Sequence, residues 1–160
     1  MGRVDDRIGE LGLELPPEVR VPEGVVLPFA FVNVRGERAL VSGHGPQMAD
    51  GSVAPPFGQL GGEVSLEEGI EAARLTALSM LGSLQRALGS LDRVTGWLRV
   101  FGMVNSAPGF DSQPTVINGF SDLIIEVFGP DVGRHSRSAV GMAALPFGIP
   151  VEIEAEVTVD

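Results

Sequence analysis

Residues 136–159 read SRSAVGMAALPFGIPVEIEAEVTV, and the fold turns on how this stretch is read. From Val151 onward, Val151, Ile153, Ala155, Val157 and Val159 alternate with Glu152, Glu154, Glu156 and Thr158. A period of two belongs to a strand buried on one face and wet on the other. Ser136 to Leu145, uncharged after Arg137, predicts a second strand, and Pro146 to Pro150 a turn between them. In a regular hairpin with Leu145 opposite Val151, Glu152 faces Ala144. Arg137 then lies roughly 23 Å further along, at about 3.3 Å per residue, with its side chain on the other face of the sheet.

Upstream, the chain alternates strands and helices. Leu27 to Val34 and Arg38 to His44 predict two strands joined by the turn Arg35-Gly36-Glu37, a hairpin. The glycine-rich segment 45–64, with Pro46, Pro55 and Pro56, reads as a loop. Ser65 and Glu68 form a capping box, and Ile70, Ala73, Ala77, Leu81, Leu84 and Leu88 recur at helical steps until Gly89. Leu91 to Val104 predicts a long strand. A second helix starts near Pro114, with Val116, Phe120, Leu123, Ile124 and Val127 on one face, and stops at Gly129-Pro130. The order ββ-α-β-α-ββ predicts an α+β fold: a mixed β-sheet with two helices on one face. Residues 1–24 form a polar lead-in, and residues 25–160 one domain.

Composition narrows the chemistry. There is no cysteine among the 160 residues, hence no disulfide, thiolate metal site or cysteine nucleophile. A net charge of −10 without a basic run argues against nucleic acid as partner. Residues 1–20 lack the apolar core of a signal peptide, and no stretch approaches the ~20 apolar residues of a membrane span, so a cytoplasmic protein without membrane contact is expected. His44 and His135 stand in no metal-binding frame, and no metal is expected. Ser42 lies in V-S-G-H-G, which is no nucleophile elbow. Arg137 is the outstanding candidate. It opens an otherwise uncharged strand, where a guanidinium fork could hold a carboxylate on two bonds. Glu152, Glu154 and Glu156 are equivalent by spacing alone.

Four stretches resemble the Rid family, also known as YjgF or endoribonuclease L-PSP. They are Pro28-Phe29 with the downstream G-E-R-A-L-V-S-G-H-G-P ending at Pro46, the helix segment E-A-A-R-L-T-A-L-S-M-L, R-S-A-V-G-M-A-A-L-P from Arg137, and V-E-I-E-A-E-V from Val151. The longer entry to the second helix, V-I-N-G-F-S-D-L, is similar to a long-chain branch. The resemblance implies a chorismate-mutase-like fold and a homotrimer. It implies hydrolysis, without a cofactor, of reactive 2-imino acids and enamines of the 2-aminoacrylate type to 2-oxo acids and ammonia.

Carried over by motif, Arg137 binds the substrate carboxylate, and Glu152 positions or deprotonates the attacking water. Gly43 and Ala139 supply backbone contacts. Asn118 matches a pocket asparagine, with Ser121 an equal candidate. Phe29 stands where the family has tyrosine, and the chain has no tyrosine anywhere. His44 stands in the place of a glutamine. Two other readings accompany this one: a non-catalytic or regulatory trimer that binds small carboxylates, and an endoribonuclease, which the net charge disfavours. If Arg137 and Glu152 serve one site, the hairpin geometry implies that two subunits supply them.

Overall fold

A computed structural model describes residues 3–160. The chain forms α1 (Arg3–Glu10), β1 (Val32–Arg35), β2 (Arg38–His44), α2 (Leu66–Leu88), β3 (Val94–Asn105), α3 (Gln113–Phe128), α4 (Pro130–Gly133), β4 (Ser136–Met142) and β5 (Val151–Val159). The α+β expectation holds: one mixed five-stranded sheet carries α2 and α3 on one face. The capping box at Ser65 and Glu68 is formed, and Gly89 ends α2 at a positive φ of 83°, which a residue without Cβ adopts freely.

The first hairpin is present, but of the expected 27–34 strand only residues 32–34 pair with β2, and Arg35, expected in the turn, pairs as well. The second hairpin is not formed. The sheet order is β1-β2-β5-β3-β4, so β3 stands between β4 and β5. α3 carries the chain back across the sheet, so β4 starts level with the middle of β3 and runs parallel to it, Arg137 facing Val100. β5 instead lies antiparallel between β2 and β3. This central place suits its alternation: Val151, Ile153, Ala155, Val157 and Val159 are all buried under the helices. A period of two specifies the buried face of a strand, not its neighbours.

The core fills the space between the sheet and its helices, with Leu81, Leu84, Ile117, Phe120, Ile124, Val100, Val104 and Ile153 fully buried. Trp97 packs edge-on against Phe120 and Phe128. The lead-in joins this core through Val4 and Ile8. Asp5 accepts from the Leu91 N–H and the Ser90 hydroxyl, fixing α1 to the turn before β3. Among the described residues no helix covers the opposite face of the sheet, and Leu40 and Val140 are exposed on it. No helix among the described residues is long and apolar enough to cross a membrane.

Candidate functional site

Strand β2 contains a bulge. Val41 pairs with Ala155 and His44 with Ile153, so three steps on β2 meet two on β5. The extra residue resets the alternation, and both Val41 and His44 turn toward the helices. His44 is only 4% exposed. Its Nδ1–H donates to the Ser42 carbonyl at 2.6 Å, which leaves Nε2 to accept from the Ser83 hydroxyl at 2.9 Å. Ser83 Oγ in turn accepts from Arg86 at 3.1 Å. Burial holds the His44 pKa down to about 4 against the bond to Ser42, with the Arg86 charge adding to the depression.

His44 borders a cavity of about 160 Å³, lined also by Gly43, Ser79, Phe31 and Glu152. Glu152 is half-buried, and its carboxyl makes no hydrogen bond or ion pair among the described residues. Burial raises its pKa above the ordinary carboxylate value, and the neighbouring charge of Glu154 adds to this. The three carboxylates that spacing left equivalent are thereby separated. Glu154 is exposed, Glu156 pairs with Arg38, and Glu152 faces the cavity.

Arg137 lies elsewhere. On β4 its side chain turns to the helix side, where Nη1 donates to Asn118 Oδ1 at 2.9 Å and to Ser121 Oγ at 3.1 Å. Nη2 donates to the Pro114 carbonyl at 3.3 Å. Asn118 and Ser121 both accept from Arg137, three residues apart on one face of α3. The Ser121 hydroxyl donates on to His135 Nε2 at 2.9 Å, and His135 Nδ1 holds the Gly133 carbonyl. Burial, opposed by that carbonyl bond and helped by Arg137, keeps His135 below its usual pKa. Ala139, on the same face as Arg137, packs partly buried against the core.

Arg137 and Glu152 are not brought together within one chain. Arg137 faces Val100 and Glu152 faces Met103 on the strand between them. Two strand spacings and three residues place their Cα atoms roughly 14 Å apart, nearer than a hairpin would, and on opposite faces of the sheet. Phe29 is also outside the cavity. It is 53% exposed and sets its ring edge-on to Phe31, which does line the wall. Sequence reasoning missed Phe31, whose one signal was its place two residues after Phe29, on the same side of an extended chain. It also missed Ser83 and Phe147.

A helix-backed mixed sheet, with a clamped arginine on an edge strand and a cavity carboxyl on its central strand, defines an α+β domain of chorismate-mutase-like architecture. Residues 5–150 match the family model described as "YjgF/chorismate mutase-like, putative endoribonuclease", and the chain belongs to that family, the Rid family. It is 43% identical to Protein TCP17 of Trypanosoma cruzi over 96% of this chain and 92% of that protein. It is 37% identical to Atu1372 of Agrobacterium tumefaciens, a protein of unknown function, whose crystal structure superposes with a TM-score of 0.86 over 99% of this chain and 94% of that one. The fold is shared, at 17% identity and a TM-score of 0.60, with E. coli TdcF, over 92% of this chain and 95% of that one.

Proposed function

We propose that the protein hydrolyses 2-imino acids and their enamine tautomers to 2-oxo acids and ammonia, at sites completed between the subunits of a homotrimer. The half-occupied guanidinium of Arg137 carries this reading. Three of its N–H groups hold Asn118, Ser121 and Pro114, while Nε–H and one Nη2–H bond nothing among the described residues. Two free donors on a clamped planar cation suit a carboxylate, which every 2-imino acid carries.

Glu152 supplies the proton transfer. Its raised pKa brings it nearer to neutrality than a surface carboxylate. It takes a proton from water as the oxygen bonds to C2 and passes that proton to the imine nitrogen, giving a carbinolamine. The same carboxyl then moves the hydroxyl proton to nitrogen as C=O forms and C2–N breaks, so that ammonia leaves and the 2-oxo acid remains. The imine is already electrophilic, so positioning and one proton shuttle suffice. Because Arg137 and Glu152 lie on opposite faces, Arg137 of one copy serves the cavity of the next. The helix-free sheet face, with exposed Leu40 and Val140, is the surface through which three copies pack.

A non-catalytic carboxylate-binding trimer is the second reading, favoured by one observation: the phenyl residues that line the cavity, Phe31 and Phe147, carry no hydroxyl. One assay separates the two. Generate 2-iminopropanoate with an amino-acid oxidase and follow its disappearance with and without the protein. Acceleration supports the enzyme, whereas pyruvate binding without acceleration supports the binder. Mixing Arg137→Ala with Glu152→Ala protein under subunit exchange then restores part of the activity. No recovery, with exchange demonstrated, would sink the shared site.

A further inference from the structure

Phe147 occupies a backbone conformation that its side chain disfavours. Residues 146–149 form a turn in which the Ile149 N–H donates to the Pro146 carbonyl at 3.2 Å. Its central residues both have positive φ, 59° at Phe147 and 68° at Gly148. This is the type I′ pattern, for which Asn-Gly is the favoured pair. A bulky residue in the left-handed region is a true outlier. The side chain is 86% exposed and lies outside the hydrophobic core of the described residues.

The turn is nevertheless well anchored. Gly148 accepts from the Gly58 N–H at 2.7 Å and donates to the Leu145 carbonyl at 3.1 Å. The backbone of residue 147 is therefore held at a defined place, and Phe147 lines the Glu152 cavity together with Val19, Phe31, Val53 and Ile149. These residues make one side of the cavity apolar, while Glu152 and His44 make another side polar.

We propose that Phe147 is a specificity-determining residue. Its ring extends the apolar wall over the side chain of the bound imino acid and selects imines of branched or aromatic amino acids over that of alanine. This inference rests on the imine-hydrolase reading. Apolar contact discriminates by about tenfold or more per methylene covered, and the alanine-derived imine has no atoms beyond its methyl group to meet the ring.

The test compares wild type with Phe147→Asn, which satisfies the turn but removes the ring, and with Phe147→Tyr, which keeps it. Imines are generated in situ from leucine and from alanine. Wild type and Phe147→Tyr favour the leucine imine in kcat/KM by about tenfold or more. In Phe147→Asn that preference disappears through a raised KM, while the alanine imine changes less than about twofold and the melting temperature rises. Equal loss on both imines, no loss on either, or a smaller assembly in sedimentation would each overturn the proposal, the last by making the ring a subunit contact. If wild type hydrolyses neither imine, the hydrolase reading fails by itself. The selectivity is then read from calorimetric binding of 4-methyl-2-oxopentanoate against pyruvate. A preference lost in Phe147→Asn supports it, and no preference in wild type overturns it.

Discussion

The carboxyl of Glu152 occupies the space that a Cβ on residue 43 would need, so Gly43 is what lets the carboxyl lie against the β2 bulge. The displaced group in any substitution is the end of a flexible side chain, not backbone. Gly43→Ala is therefore expected to fold and assemble as wild type, with unfolding free energy changed by less than about 1 kcal/mol. Imine hydrolysis should fall at least tenfold in kcat as Glu152 swings out of place. Urea titration and initial rates on one preparation check both halves.

Arg137 spends three hydrogen bonds on holding itself still. Arg137→Ala should abolish 2-oxo-acid binding and imine hydrolysis without dissolving the assembly. Arg137→Lys should recover little, since a single ammonium lacks the planar fork. Calorimetry with pyruvate and sedimentation decide it, and full activity in the alanine variant would refute the anchor role.

Gly119, beside Asn118 on α3, packs where a Cβ would collide with the backbone carbonyl of Ile70 on α2. A helix backbone yields far less than a side-chain tip. Gly119→Ala should cost about 1–3 kcal/mol despite alanine's higher helix propensity, because α3 must move away. That displacement also shifts Asn118 and Ser121, so binding through Arg137 should weaken in the same variant. Denaturant midpoints and pyruvate affinity would show the two losses together.

His44 predicts a pH dependence of stability with a definite sign. Its folded pKa, about 4, lies below the unfolded value near 6.5. Between those values the unfolded chain binds more protons, so stability rises with pH from about 4 to 6.5 and is lost on acidification through that window. The contribution is on the order of 3 kcal/mol at most. His135, also depressed, acts in the same direction. Glu152 opposes them, because its raised pKa favours the folded state at low pH and that benefit is lost as pH rises through it. Urea unfolding at several pH values should show the rise, and His44→Gln, which has no proton to gain, should flatten it.

Local patterns carried much of this protein. The capping box at Ser65, the apolar stripe of α2, the Gly89 stop and the one-sided alternation of β5 were legible because each depends on neighbours within a few residues. Arg137 stood out as the one charge in an apolar run, whereas Asn118 and Ser121 were offered by the family resemblance as alternatives, and their bonds to Arg137 came from the tertiary structure. The resemblance in four separate stretches pointed to the family to which the chain belongs.

Tertiary structure decided the remainder. Consecutive strands with a proline-bounded turn suggest a hairpin, yet β3 separates β4 from β5 because α3 returns the chain parallel to β3. No local signal marks the bulge that turns His44 inward or the pairing that brings Gly43 against Glu152. Glu152, Glu154 and Glu156 share one strand face and one spacing, and only their surroundings distinguish them. The physical reason is the range of the interactions. Periodicity and capping report which face of an element is buried and where it stops, whereas strand order and cavity walls arise from contacts between residues distant in sequence, whose free energy depends on how the whole chain closes.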